Sequence, residues 1–258
     1  MLREERHLRI RSLLATFTRL SVERIVQDLD VSRETVRRDL LELEGHGALR
    51  RVHGGAVATG PAPEPPLAAR LVARQKEKRA IAKAAVGLLQ AGQTIFLDAG
   101  STTSILADEI ATLSGMTILT NSLAIALKLA SADADRASRN DVRLLGGQID
   151  VKTQATHGDS TLEDIRRYRA DVALLSPVSL HAQHGAMSFE HHEASVARAM
   201  ADQSRQRMIL ADHSKIGQLS RVSYARCADI DVLVTDAGAR SVPALAALRK
   251  ACVQVRVA

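Results

Sequence analysis

Apolar positions recur at helical spacing three times before residue 45. Ile10, Leu13 and Leu14 share one face of a first helix, and Val22, Ile25, Val26 and Leu29 share one face of a second that Ser21 is placed to cap. The segment DLDVS predicts a tight turn, after which Ser32 caps a third helix by accepting from the backbone N–H of Glu34 or Thr35. On that helix Val36, Leu40 and Leu43 lie at i, i+4 and i+7. At about 100° per residue the opposite side carries Glu34, Arg37, Arg38 and Leu41, with Arg33 and Thr35 on the flanks. The stretch GALRRVHGGAVA then reads as a short hairpin, with Arg50 and Arg51 on its first strand, His53 at its tip, and Gly54 and Gly55 as the positive-φ residues of the turn.

Four of the six prolines, Pro61, Pro63, Pro65 and Pro66, fall in TGPAPEPP, which neither continues a helix nor donates regularly to a sheet. A linker is expected at 59–66, dividing a domain at 1–58 from a second at 67–258. Leu67 to Leu89, with Ile81, Ala85, Leu88 and Leu89 on one face, reads as one helix. Short β-branched or leucine-rich runs (TIFLDAG, MTILTNS, VRLLGG, DVALLSP, RMILADHS, DVLVTDAG) then alternate with amphipathic stretches. That alternation predicts an α/β domain built on a parallel sheet flanked by helices. Ala130 to Asp141, small and charged, reads as a solvated loop.

Composition narrows the partners. Aromatic residues make up 2% of the 258, so stacking on nucleobases contributes little and single-strand readers are disfavoured. A net charge of +6 and a pI near 9.7 suit a polyanion without requiring one. Residues 1–60 hold eleven arginines against nine carboxylates, a net of +2, so placement matters more than excess. Arginines such as Arg37 and Arg38 are most often ordinary surface residues paired with Glu34, Glu42 or Asp39. Here the helix, turn, helix and basic wing agree on one geometry, in which the third helix fills a major groove and the wing reaches the flanking phosphates. Cys227 and Cys252 have no ligand spacing, so no disulfide framework or zinc site is indicated. The N-terminus MLREERHLRIRSLL is too charged for a signal peptide, and no apolar run approaches the ~20 residues that span a bilayer, so a cytoplasmic protein without membrane contact is expected.

In the second domain, IFLDAGSTTSILADEI is a strand, a Gly-Ser-Thr-Thr loop and a helix. The glycine lets the backbone approach an anion, the hydroxyls donate, and the first helical N–H groups point at it. The loop lacks the P-loop and dinucleotide fingerprints. Ser and Thr after a strand are more often helix caps than an anion site. TNS (120–122) and LGG (145–147) also put small or polar residues where strands leave a parallel sheet, and open α/β sheets bind ligands there.

Residues 1–57 resemble the winged helix-turn-helix of the DeoR family of bacterial transcription regulators, through Arg6, Ile10 and Leu14 at four-residue intervals, SRETVRRDL and RVHGGA. The resemblance runs on through DAGSTT, TNSLAIA, LLGG, ADHSKIG and DIDVLVTD. It implies a winged helix-turn-helix followed by a Rossmann-like parallel α/β domain resembling ribose-5-phosphate isomerase. It further implies a regulator, most often a repressor of carbohydrate genes, that binds double-stranded operator DNA and responds to a phosphorylated sugar or polyol. The expected DNA contacts are Ser32, Arg33, Glu34, Thr35, Arg37, Arg38, Arg50, Arg51 and His53. By the same analogy Asp98, Gly100, Ser101, Thr102, Thr103, Asn121, Gly147 and Lys215 line the effector site, with Lys215 as a mobile charge for a phosphate. Without the resemblance Lys215 reads as an exposed loop lysine. No cofactor or metal is expected. A homo-oligomer is, because one winged helix contacts only a short site.

The segment LLSPVSLHAQHGAMSFEHHEA, Leu174 to Ala194, departs from the family's pattern, and its histidines His181, His184, His191 and His192 read as mobile loop residues rather than metal ligands. The rival reading is a sugar-phosphate isomerase-like enzyme in which Asp98, Glu193, Asp212 and Lys215 supply acid and base. A fused winged helix has no role in such an enzyme.

Overall fold

The computed structural model describes residues 2–17, 19–58, 64–132 and 140–258. The chain divides into two compact units between Pro65 and Pro66. Pro61 and Pro63 of the expected linker, and residues 133–139 of the expected loop, lie outside the described residues.

The N-terminal unit runs α1 (Arg3–Phe17), β1 (Arg19–Ser21), α2 (Val22–Leu29), α3 (Arg33–Gly45), β2 (Leu49–Val52) and β3 (Gly55–Ala58). Each helix buries the predicted stripe: Ile10 and Leu14, Ile25 and Leu29, then Val36, Leu40 and Leu43 meet Leu20, Leu49 and Ala56 in one core. Ser21 and Ser32 cap α2 and α3 by accepting from the N–H of Arg24 and of Thr35, each at 3.1 Å. Asp30 turns the chain between them in the left-handed region, at φ 51°. The three strands form an antiparallel sheet in the order β1-β3-β2. The turn differs from expectation: Gly54 has φ 76°, but Gly55 is not in the positive-φ region and pairs with Val52 inside the sheet. Gly55 is required for a different reason, since a Cβ there would lie 2.0 Å from the Leu20 carbonyl oxygen.

The C-terminal unit opens with α4 (Leu67–Val72) and α5 (Gln75–Val86), two helices where one was expected. Arg74, at φ 51°, breaks the path, and Leu88 and Leu89 follow the second helix in a turn. Then come β4 (Thr94–Leu97), α6 (Ser101–Ile110), β5 (Thr117–Thr120), α7 (Leu123–Ala132), β6 (Asp141–Leu144), β7 (Gln148–Asp150), β8 (Ala155–His157), α8 (Asp159–Arg166) and β9 (Ala170–Leu175). They are followed by β10 (Ser179–His181), β11 (Gly185–Ser188), α9 (His191–Asp202), β12 (Ser204–Leu210), β13 (Val222–Ala225), β14 (Val232–Thr235), α10 (Ala244–Ala251) and β15 (Gln254–Val257).

Seven strands form a parallel sheet in the order β15-β14-β12-β9-β4-β5-β6. Both faces are covered, which is why its strands read as apolar runs rather than alternating ones. Ile95, Leu97, Ile118, Val172 and Leu174 pack on one side, and Phe96, Leu119, Ala173 and Leu175 on the other. After β4 the chain winds outward to β5 and β6, then returns to β9 on the opposite side of β4. The carboxyl ends of β4 and β9 therefore flank a topological switch point, where open α/β sheets leave a crevice.

Two smaller sheets escaped the alternation pattern, the β7–β8 hairpin and an antiparallel sheet in the order β10-β11-β13. They correct the mobile-loop reading of the histidines. His181 is paired in β10, His184 sits in the hairpin turn, and His191 and His192 open α9. The expected loop at 130–141 is also shorter, because α7 continues to Ala132 and β6 begins at Asp141.

Candidate functional site

The outer face of α3 exposes Arg33, Glu34, Arg37, Arg38 and Leu41, as the helical phase requires. With the β2–β3 turn it walls a groove of about 720 Å³ lined by these residues, Arg51, His53 and Gly54. Two of the three carboxylates that would neutralise Arg37 and Arg38, Asp39 and Glu42, are engaged elsewhere, while Glu34 shares their exposed face. Asp39 lies in the buried stripe of α3 and takes a two-pronged bond from Arg6, Nε at 2.7 Å and Nη2 at 2.9 Å, with His7 Nε2 at 3.2 Å. Glu42 faces Arg3 and His7. Arg33 reaches Glu23 at 3.2 Å, and Arg51 binds Glu44 through its backbone N–H at 2.7 Å. The side chains of Arg37, Arg38 and Arg50 form no ion pair or hydrogen bond among the described residues, so these guanidinium groups are available to a polyanion. The Ser32 and Thr35 hydroxyls are 2.8 Å apart and serve the helix cap.

At the switch point β4 is followed directly by Asp98, which is 8% exposed. Its Oδ2 accepts from the Ser176 N–H at 2.8 Å, tying the ends of β4 and β9 together. Gly100 follows in extended conformation, closely packed: a Cβ there would stand 3.1 Å from Ser176 Cβ and Thr103 Oγ1, so those side chains would have to give by a few tenths of an ångström. The first bond within α6 runs from the Ser104 N–H to the Gly100 carbonyl at 2.9 Å, so the N–H groups of Ser101, Thr102 and Thr103 point out of the helix start. The hydroxyls are less free than the sequence suggests. Thr103 Oγ1 donates back to the Gly100 carbonyl at 3.0 Å, and Ser101 Oγ accepts from Lys78 Nζ at 3.0 Å.

Lys78 is the site residue that sequence reasoning missed. It comes from α5, is 3% exposed, and also donates to the Arg70 carbonyl. A signal existed: Lys78, Ile81, Ala82 and Ala85 occupy i, i+3, i+4 and i+7, so a lysine interrupts an apolar stripe. Lys215 approaches from the turn after β12. It is half-buried and donates to the Pro177 carbonyl, which replaces the exposed-loop reading. Asp212 caps that turn through the Ser214 N–H at 3.0 Å and lies 3.8 Å from Arg74 Nε.

The other expected residues stand on neighbouring strand ends. Asn121, after β5, donates to the Thr156 carbonyl at 3.0 Å and so fastens the parallel sheet to the β7–β8 hairpin. Gly147, at φ 138°, is exposed, and its lack of a side chain serves packing: a Cβ would meet Thr161 Oγ1 at 2.1 Å and the His157 carbonyl oxygen at 2.6 Å. Beside it the His157 and His192 rings lie 4.5 Å apart, with Asp150 3.9 Å from His192 Nε2. Among the described residues no cluster of three or more such groups is arranged to hold a metal.

The ionisable groups buried at the switch point perturb one another. Burial lowers the Lys78 pKa to about 8, and the nearby Lys215, Arg70 and Arg74 charges push the same way against Asp212. Burial raises the Asp98 pKa to about 7, opposed by the Ser176 hydrogen bond, by the neighbouring Thr103 hydroxyl and by Lys215, and aided by Glu193. For Asp212 burial is outweighed by Ser214, Lys215 and Arg74, and its carboxyl stays below the usual range. Asp98 Oδ1, Thr102 Oγ1 and Asn121 Oδ1 are buried without hydrogen-bond partners among the described residues, each at a cost of ~1–3 kcal/mol unless a ligand or water completes it.

A winged helix-turn-helix that presents arginines on its third helix, joined to a doubly wound parallel sheet, defines a DNA-binding regulator with a sensor domain. Residues 6–61 match the DeoR-like helix-turn-helix domain and residues 73–237 the DeoR C terminal sensor domain. The chain belongs to the DeoR family of transcriptional regulators. It is 34% identical to the transcriptional repressor AccR of Agrobacterium fabrum, over 93% of this chain and 92% of that protein. It is 30% identical to the glycerol-3-phosphate regulon repressor of Escherichia coli, over 92% of both. Part of the chain, 55%, aligns with 55% of the ribose 5-phosphate isomerase A chain of Methanocaldococcus jannaschii at 16% identity and a TM-score of 0.40. Among the described residues no helix is long and apolar enough to cross a membrane.

Proposed function

We propose that this protein is a cytoplasmic repressor of carbohydrate-metabolism genes that binds operator DNA as a homo-oligomer and changes affinity when a phosphorylated sugar or polyol occupies the crevice between β4 and β9. The carrying observation is the Lys78 ammonium bonded to Ser101 Oγ beside the N–H groups that open α6, with Lys215 acting electrostatically on Lys78 and Asp98. Two ammonium groups and a helix start suit a phosphate dianion. The unpaired oxygens of Asp98 and Asn121 suit hydroxyl groups on the ligand's carbon chain. On the DNA side Arg37 and Arg38 read bases, while Arg50, Arg51 and His53 hold the backbone, with Arg33, Glu34, Ser32 and Thr35 framing the groove. That relatives carry names such as transcriptional repressor and glycerol-3-phosphate regulon repressor supports both the sign of regulation and the ligand class.

The test is operator affinity titrated against a panel of sugar and polyol phosphates, with turnover followed in parallel. Saturable binding that shifts operator affinity by 5- to 150-fold, without turnover, is the expected result. Arg37→Ala or Arg38→Ala should cost ~1–3 kcal/mol on the operator, and Arg50→Ala or Arg51→Ala should weaken all sequences alike. Turnover would favour the isomerase-like reading, which the near-neutral Asp98 beside Glu193 makes specific enough to measure.

A further inference from the structure

Hydrogen bonds connect the crevice to the start of the C-terminal unit. Ser101 Oγ, in the first turn of α6, accepts from Lys78 Nζ at 3.0 Å, and Lys78 Nζ donates as well to the Arg70 carbonyl in α4. The Arg70 N–H in turn donates to the Pro66 carbonyl at 3.1 Å. Pro66 is the first residue of the C-terminal unit, so the chain that leads to the winged helix leaves from there. The helix in the middle of this path is lightly held. It rests on α6, is six residues long and buries none of them, and Arg74 follows it in the left-handed region at φ 51°. So short a helix does not persist on its own hydrogen bonds, and its last carbonyls need outside donors. Two side chains of α5 supply them: Lys78 at Arg70, and Gln75 Nε2 at the Leu71 carbonyl, 3.1 Å away. Arg74 itself stands 3.8 Å from Asp212 Oδ1, and Asp212 caps the turn that carries Lys215.

We propose that α4 is a strap ordered by a phosphate in the crevice, which holds Lys78 against the Arg70 carbonyl and so fixes where the chain leaves Pro66. The inference rests on the reading of the crevice as a phosphate-ligand site. An ammonium has three N–H donors; Ser101 Oγ and the Arg70 carbonyl take two among the described residues, and the third serves a phosphate oxygen beside the N–H groups that open α6. The anion favours the charged form of a lysine whose pKa burial lowers to about 8, and a full ammonium at the carboxyl end of α4 strengthens the cap. Without the anion the strap frays more readily. A helix rises about 1.5 Å per residue and an extended chain about 3.3 Å, so fraying of α4 lengthens the connection to the winged helix by roughly 10 Å. The strap is thus an element with two states, an ordered and a frayed one, and the ligand's preference for the first is what couples the crevice to the linker.

Amide hydrogen exchange on the full-length chain reads α4 directly, with inorganic phosphate, glycerol 3-phosphate and ribose 5-phosphate as probes and glycerol as the uncharged control. A probe that binds saturably should slow exchange across residues 67–73 at least about threefold, and glycerol should not. Ligand-free Lys78→Met should raise exchange in the same segment at least about threefold while β4 and β9 exchange as in wild type. Ala68→Gly/Ala69→Gly loosens the strap at two exposed positions that carry no polar group, because each glycine disfavours a helix about four- to fivefold. That variant should bind the probe within about fivefold of wild type and lose most of the operator response. Saturable binding with unchanged or faster exchange in α4 overturns the strap and leaves the phosphate site standing. So does unchanged α4 exchange in Lys78→Met, or a full operator response from the glycine variant. No saturable binding of any of the three probes by wild type overturns both readings.

Discussion

Exchanging Arg6 for Met should unfold the N-terminal unit, and exchanging Asp39 for Leu in the same chain should restore it. The two Asp39 oxygens receive Arg6 Nε at 2.7 Å and Nη2 at 2.9 Å, and Asp39 is 2% exposed. Removing one member of such a pair costs ~3–5 kcal/mol, because the other is left buried and uncompensated. A unit spanning Met1–Pro65 has a total stability of roughly 3–10 kcal/mol, so the single change removes much or all of it. The double variant leaves two apolar side chains of similar bulk between α1 and α3. Replacements of that kind range from neutral to ~1–4 kcal/mol stabilising. Amide hydrogen exchange on the full chain measures both, with the C-terminal unit as internal control and operator binding read in parallel. Arg6→Met should raise exchange in α1 and α3 by roughly two to three and a half decades, and Arg6→Met/Asp39→Leu should bring it back to near wild type. If the single and double variants were equally destabilised, or Arg6→Met lay within ~1 kcal/mol of wild type, the buried pair would not be what holds α1 on α3.

Three further outcomes are expected. Lys78→Met should abolish the effector response while the C-terminal unit melts no lower than wild type, because a desolvated ammonium with its pKa lowered to about 8 is lost together with its anion contact; a retained response refutes this. Gly55→Ala should displace the wing and weaken operator binding, since its Cβ would stand 2.0 Å from the backbone oxygen of Leu20; melting and binding equal to wild type would contradict the clash. Asp98 has a folded pKa of about 7 against an ordinary 3.8, so the folded state binds the extra proton between those values and the contribution to stability is lost as pH rises from about 4 to 7. Asp98→Asn should remove that part of the slope in urea midpoints measured across the window, and an unchanged slope would show that Asp98 does not carry it.

Much of the architecture was legible because local periodicity reports which side of an element is buried. The stripes of α1, α2 and α3, the serine caps, the basic wing and the alternation of strands with helices all follow from side-chain spacing. So does the exposure of Arg37 and Arg38, whereas Ser101 to Thr103, expected in a loop, form the first turn of α6. Periodicity does not name the partner across a core. Asp39 and Lys78 each occupy a polar position in an apolar stripe, which announces a buried charge. Only the fold brings Arg6 to the first and Ser101 to the second, from 33 and 23 residues away. The break at Arg74, the role of Gly55 under the Leu20 carbonyl and the short strands of the β10-β11-β13 sheet likewise depend on contacts distant in sequence. The crevice itself is a product of strand order. Nothing in the run of residues says that β9 returns beside β4, yet that pairing joins Asp98 to Ser176 and opens the switch point. Amphipathic spacing acts over a few residues and is written in the sequence, whereas the electrostatics of a buried site depend on which segments are neighbours in space, and that is set only when the sheet is assembled.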